Sequence, residues 1–177
     1  MKIVGRKQLY SGFLSLEELT IQDEGNKSIK REVIKRPDAV AGIVYNTKTQ
    51  KYIFVKQFRP AAEKDVVEIV AGTMDVEGES FENCMKREVE EEIGYKTDTI
   101  QSIHSCYSSP GSLTEMIHIF YVEVSEKISE GGGVGDENLE IIELTYKQLS
   151  EHSTNDAKTI IAIQWLKYHQ LQKLLLH

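Results

Sequence analysis

The chain has 177 residues, 40% of them hydrophobic, which is enough for one domain with its own core and room for a small appendage. Its formal net charge of −7 argues against a sequence-independent nucleic-acid binder, and it opposes any anionic phosphate ligand unless bound divalent cations intervene. Two cysteines, Cys84 and Cys106, give neither a disulfide framework nor a zinc site, and the lack of a signal-peptide pattern or long apolar run leads us to expect a soluble, cytoplasmic protein with no membrane partner.

From about Lys2 to Lys35 polar and apolar residues alternate, with turn signals at Ser11-Gly12 and Gly25-Asn26, which predicts two or three strands. Arg36-Pro37-Asp38 marks a boundary. Ala39 to Tyr45 is a nearly continuous apolar run and reads as a buried strand. Its hairpin partner is Lys51 to Phe58, and Val66 to Ala71 reads as one further short strand. Ser80 suits the N-cap of a helix in which Met85, Val89 and Ile93 form an apolar stripe, and Gly94 stops it. Cys84 lies in this helix and reads as a small core residue.

Strands are predicted at Thr99 to Tyr107, Met116 to Val124 and Glu140 to Leu144, with a sparsely covered loop from Glu130 to Gly135. A terminal helix is predicted from Asp156 to about Leu175, with Ile160, Ile163, Trp165, Leu166 and Leu171 as most of its buried face. Strands with one helix between them and one at the end predict an α+β fold, an α/β/α sandwich around a mixed sheet.

The most informative segment is Arg87-Glu88-Val89-Glu90-Glu91-Glu92-Ile93-Gly94. Glu88, Glu91 and Glu92 stand at i, i+3 and i+4 and crowd one face of a helix, where like charges repel. Such a run is ordinarily a solvated face. A cluster of hard oxygen donors also suits Mg²⁺ or Mn²⁺, which would offset the repulsion. With Glu79 eight residues before Arg87, and with Gly72 and Tyr95 at its ends, the segment resembles the Nudix box, although six residues rather than five separate Gly72 from Glu79.

After the box, Ser109-Pro110-Gly111-Ser112-Leu113-Thr114-Glu115 resembles the SPG-x-x-TE segment of ADP-ribose and GDP-mannose pyrophosphatases, and Gly131-Gly132-Gly133 precedes Asp136-Glu137. Alone, the first is a Pro-Gly turn and the second a flexible connection. Together the three motifs point to the nucleoside-diphosphate-sugar branch of the Nudix hydrolases. That resemblance implies the Nudix fold over residues 37–177. It also implies a small N-terminal antiparallel β segment, residues 1–36, of the kind that mediates a domain-swapped homodimer in that branch.

The resemblance further implies roles. Glu88, Glu92, Glu137 and the carbonyl of Ala71 match metal ligands for Mg²⁺, with Mn²⁺ as substitute. Glu91 matches a glutamate that bridges or orients in the metal cluster, and Arg87 the arginine that holds the box glutamates. Glu115 matches one candidate general base and Glu137 the other. Arg59 matches an arginine on the substrate's phosphates, and Lys158 a lysine near the sugar-side phosphate. Lys30, Arg31 and Glu32 match a strand reaching the nucleotide across the dimer, and Phe13 falls where an aromatic stacks on the base. Gly72 and Asp136 complete the expected substrate contacts. The implied reaction is hydrolysis of a nucleoside diphosphate sugar, of GDP-mannose or ADP-ribose type, to a nucleoside monophosphate and a sugar phosphate. A non-catalytic nucleotide-sugar sensor, which would tend to lose box glutamates, and a nucleotide-pool sanitiser, which would lack the later motifs, are the alternatives.

Overall fold

The computed structural model describes residues 1–133, 138–151 and 153–175, with side chains of the last helix described to residue 172. The chain divides into two units: Met1–Asp38 with Cys106–Ile117, and Ala39–Ser105 with His118–His177.

The first unit is built on a three-stranded antiparallel sheet, β1 (Lys2–Ser11), β2 (Ser15–Gln22) and β3 (Ser28–Lys35), in that order. Both predicted turns are where the sequence puts them. At the second, Asn26 takes a left-handed φ of 63° and Asp23 Oδ1 accepts the Lys27 amide at 2.9 Å, the local chemistry that makes Asx residues turn formers. The Ser109–Glu115 segment is stitched to the end of β3: the Ile34 amide donates to Ser112 O at 2.8 Å, and the Thr114 amide donates to Ile34 O at 3.1 Å.

The second unit holds a mixed seven-stranded sheet. Its strands are β4 (Ala39–Asn46), β5 (Lys51–Arg59), β6 (Lys64–Glu68), β7 (Val70–Thr73), β8 (Tyr95–Tyr107), β9 (Met116–Lys127) and β10 (Glu140–Leu144). The order is β10-β5-β4-β9-β8, with β6 paired to β5 and β7 to β4. Both faces of the central strands are buried, so they read as apolar runs rather than alternations. Val40 and Val44 of β4, Ile53 and Val55 of β5 and Val122 of β9 meet Met85, Val89 and Ile93 of helix α1 (Phe81–Ile93) on one face. The alternate residues Ala41, Ile43 and Phe54 are equally buried on the other face, where α3 (Ala157–Leu175) contributes Ala162, Ile163 and Leu166, and Trp165 meets Tyr121 with ring centroids 5.7 Å apart. This is the expected sandwich. No helix among the described residues is long and apolar enough to cross a membrane.

Three expectations change. The run Val66 to Ala71 is two strands, because β6 pairs with β5 and β7 with β4, and the Ile69 amide between them donates to Thr159 Oγ1 at 2.9 Å. In α3 the buried arc is Thr159, Ala162, Ile163 and Leu166, an i, i+3, i+4, i+7 set, whereas Ile160 and Leu171 lie off that arc and are 41% and 53% exposed. A short helix, α2 (Tyr146–Glu151), follows β10 in addition to the expected elements.

Helix α1 ends as predicted. Gly94 takes φ 75°, and a Cβ there would lie 2.1 Å from the carbonyl oxygen of Ser129. Gly94→Ala is therefore expected to destabilise the fold by about 2 kcal/mol or more, lowering Tm by roughly 4–8 °C, as read by thermal melting.

Candidate active site

Helix α1 presents its acidic face to the backbone of β7. Ser80 caps the helix, its Oγ accepting the Asn83 amide at 3.2 Å. Glu88 and Glu92, one turn apart, are 8% and 4% exposed. The Glu92 carboxylate accepts the Ala71 amide at 3.2 Å. The Glu88 carboxylate lies against Gly72, where an added Cβ would come within 1.9 Å of Cδ. Gly72 is thus bare because a buried carboxylate occupies the space a side chain would fill. Burial raises Glu88 to about 7, despite the opposing pull of Arg87.

Arg87 is the hub of this acidic face. Its Nη1 donates to Glu88 Oε1 at 2.7 Å and to Glu91 Oε2 at 3.1 Å. Its Nε and Nη2 reach Glu79 at 3.3 and 3.2 Å, and Nη2 also reaches Asp75 at 3.3 Å. The hydrogen bond from Arg87 holds Glu79 below the usual carboxylate range. Glu91 is thereby turned to Arg87, while Glu88 and Glu92 face β7. The long loop before the helix is absorbed without disturbing either anchor: Gly72 stays against Glu88, Glu79 stays on Arg87, and Gly78 takes a left-handed φ of 79° between them. Cys84 is buried as expected, and burial pushes its thiol up to about 12, so it is inert.

The glycine-rich loop has a definite partner. The Gly132 amide donates to Glu92 O at 2.8 Å and the Gly133 amide to Glu91 O at 3.1 Å, closing carbonyls at the C-terminus of α1. At Gly131, φ is 67° and a Cβ would lie 2.6 Å from the Ile93 carbonyl carbon. Gly132 and Gly133 also take positive φ, 105° and 87°, so the three glycines carry the loop across the helix end that bears Glu91 and Glu92. Asp136 and Glu137, expected to follow as substrate contact and as metal ligand or base, lie outside the described residues.

A basic group stands in the same unit. Arg59, at the end of β5, binds Glu68 with two prongs, Nε to Oε1 at 2.5 Å and Nη2 to Oε2 at 2.9 Å. Lys158, in the first turn of α3, donates to the same Glu68 Oε2 and to Asp156 Oδ1 at 3.0 Å. Arg59 also feels the charge of Glu92. Burial alone would push Glu68 up, but Arg59 and Lys158 together hold it below the usual carboxylate range. The structure therefore brings Arg59 and Lys158, 99 positions apart (158 minus 59), to one carboxylate. Glu68, Asp75 and Asp156 are site residues beyond those expected from sequence. A lone acidic residue inside the apolar run VVEIVA was the available signal for Glu68, since a buried charge needs a partner.

The remaining expected residues belong to the first unit. Phe13, at the β1–β2 turn, is 96% exposed. Lys30 pairs with Glu18 at 2.8 Å, Arg31 donates to the Lys30 carbonyl at 2.8 Å, and Glu32 is exposed on β3. Glu115 pairs with Arg36 at 3.3 Å, and Thr114 Oγ1 both accepts the Arg36 amide and donates to the Arg36 carbonyl at 2.9 Å.

The donor set of α1 fits a hard divalent cation. Two buried carboxylates on consecutive turns sit against a backbone kept free of a side chain, and burial disfavours the bare charge on Glu88. Among the described residues no three His, Cys, Asp or Glu side chains close on one point, so further donors would be the Ala71 carbonyl or residues outside those described.

Residues 35–176 match the NUDIX domain model. The chain belongs to the NUDIX domain family. This NUDIX chain is 36% identical to the ADP-ribose pyrophosphatase of Bacillus subtilis (strain 168) over 174 residues, covering 94% of this chain and 92% of that protein. It is 34% identical to the methanol dehydrogenase activator of Bacillus methanolicus, over 99% of this chain and 96% of that one. To the GDP-mannose pyrophosphatase of Escherichia coli (strain K12) it is 32% identical, over 87% of this chain and 86% of that one. A crystal structure of an ADP compounds hydrolase superposes with a TM-score of 0.80 at 15% identity, covering 97% of this chain and 95% of that one, and so shares the fold.

The raised Glu88 gives the metal-free NUDIX chain a pH signature. The folded state holds a proton on this group up to about pH 7, and the unfolded chain releases it near about 4.3. The folded state binds more protons between those values, so this group's contribution to stability falls as pH rises through the window. With EDTA present, Glu88→Gln is expected to melt above the parent at pH 8 by roughly 2–8 °C, with the difference shrinking at pH 5. Added Mg²⁺ is expected to raise the parent's Tm more than the variant's. A variant that melts below the parent by the same margin at both pH values would contradict this account.

Proposed function

We propose that the protein is a Mg²⁺-dependent hydrolase that cleaves the diphosphate bridge of a nucleoside diphosphate sugar of the ADP-ribose or GDP-mannose type. The observation that carries the reading is the pairing, in one unit, of two buried box carboxylates against bare Gly72 with the Arg59 and Lys158 pair. An acidic cluster to hold cations beside a basic pair for phosphate oxygens is what a doubly anionic bridge requires. The relatives named for ADP-ribose and for GDP-mannose support the substrate class equally.

Glu88, Glu92, the Ala71 carbonyl and Glu137 would hold Mg²⁺, with Mn²⁺ as substitute. The bound ions would supply charge neutralisation of the diphosphate and activation of the attacking water. Arg87 fixes Glu88, Glu91 and Glu79, so that the ligating carboxylates keep their rotamers before substrate arrives. Arg59 and Lys158 orient the phosphates. A carboxylate takes the proton of the attacking water as its oxygen bonds phosphorus, and the bridging P–O bond breaks to give nucleoside monophosphate and sugar phosphate. Glu115 is the first candidate for that base and Glu137 the second. A sensor reading would be favoured by missing box glutamates, and Glu79, Glu88, Glu91 and Glu92 are all retained.

A homodimer completes the proposal. Ile3, Val4, Leu9, Tyr10 and Phe13 leave a run of apolar side chains exposed on the β1–β2 hairpin, which a second copy would cover. Lys30, Arg31, Glu32 and Phe13 would then serve the nucleotide of the partner.

Glu92→Gln should lower turnover at saturating Mg²⁺ by on the order of a hundredfold or more, assayed on ADP-ribose, GDP-mannose and ADP-glucose. Near-normal turnover would refute the assignment. Light scattering at micromolar concentration is expected to give twice the chain mass, and a monomer would remove the dimer from the proposal.

A further inference from the structure

We propose that Glu68 is a positioning residue for the substrate's diphosphate, holding Arg59 and Lys158 together as one preset anion-binding pair. The inference rests on the phosphate roles given above to those two cations.

Each oxygen of Glu68 is committed. Oε1 accepts Arg59 Nε, and Oε2 accepts both Arg59 Nη2 and Lys158 Nζ. The Glu68 side chain is 3% exposed and that of Arg59 42% exposed, so the anchor is buried while the side chain it grips is partly open to solvent. Among the described residues Arg59 spends only Nε and Nη2 on the protein, which leaves Nη1 to meet a phosphate oxygen.

The frame behind this carboxylate is stiff on both sides. Glu68 ends β6 opposite Val55, and Arg59 ends β5 opposite Lys64, an even offset that puts Arg59 and Glu68 on one face of the ladder. The next residue, Ile69, donates its amide to Thr159 Oγ1 at 2.9 Å, beside Lys158. Asp156 Oδ2 in turn accepts the Thr159 amide at 3.0 Å and hydroxyl at 2.6 Å, while Oδ1 takes Lys158. Two long side chains that would otherwise sample many rotamers are therefore set before substrate binds, which lowers the entropy lost on binding.

The test is calorimetric binding, in Mg²⁺, of the α,β-methylene analogues of ADP and GDP, which carry an uncleavable diphosphate. With whichever analogue the parent binds more tightly, Glu68→Gln is expected to bind at least tenfold more weakly. In an Arg59→Ala/Lys158→Ala background the same change is expected to alter affinity less than twofold, since Glu68 acts only through those two residues. Parent-like binding by Glu68→Gln, or an equal loss in both backgrounds, overturns the proposal. If Glu68→Gln does not fold, Arg59→Lys keeps the charge and loses the two-pronged contact; at least threefold weaker binding supports the proposal and parent-like binding overturns it. A parent that binds neither analogue also overturns it. A parent that binds an analogue but hydrolyses no nucleoside diphosphate sugar defeats the proposed function alone, and the variants then still decide the role of Glu68.

Discussion

The Glu88 carboxylate rests on the bare Cα of Gly72 while Glu92, one turn on, bonds the amide of Ala71. That contact governs the rest of the second unit. Helix α1 must bury an apolar stripe, Met85, Val89 and Ile93, in the core, and at the same time lay two carboxylates along β7. Burial of like charges one turn apart opposes folding, and Arg87 relieves only part of it because Glu88 remains raised to about 7. A divalent cation at this face would relieve the remaining cost of that burial. Binding of such a cation would add to folding stability, as for any ligand held only by the native state.

The helix keeps its place because both ends are capped. Ser80 closes the N-terminus, and the loop amides of Gly132 and Gly133 close the carbonyls of Glu92 and Glu91. A side chain at Gly94 or Gly131 would strike backbone, which no rotamer change can relieve. Gly131 thus gives close approach, and all three glycines of this loop take the left-handed φ it needs. They fix the end of the helix from which the two carboxylates project.

Charge is partitioned in the same unit. The acidic face of α1 lies beside a basic pair whose own counter-ions, Glu68 and Asp156, are buried or half-buried beneath it. A chain with net charge −7 can in this way offer cations to an anion without exposing a general basic surface, which would recruit polyanions indiscriminately. The first unit contributes differently. Its Ser109–Glu115 segment is hydrogen-bonded to β3 and Arg36, so the Pro-Gly turn is part of the small sheet's structure as well as the carrier of Glu115.

What the sequence by itself determined was local. Ser80 and Gly94 bound α1, alternation and turn residues set β1 to β3, and apolar runs mark β4 and β5, because each signal acts over a few residues. One further local signal went unread: Thr145 and Gln148 form a reciprocal capping pair, with the Thr145 amide on Gln148 Oε1 at 2.9 Å and the Gln148 amide on Thr145 Oγ1 at 3.3 Å, and it starts α2. Tertiary structure alone decided that Val66 to Ala71 breaks into two strands, that α3 buries Thr159 and Ala162 rather than Ile160 and Leu171, and that Glu68 clamps Arg59 and Lys158. The physical reason is range. A buried carboxylate must find its cations wherever the fold delivers them, and Lys158 lies 90 residues from Glu68 along the chain.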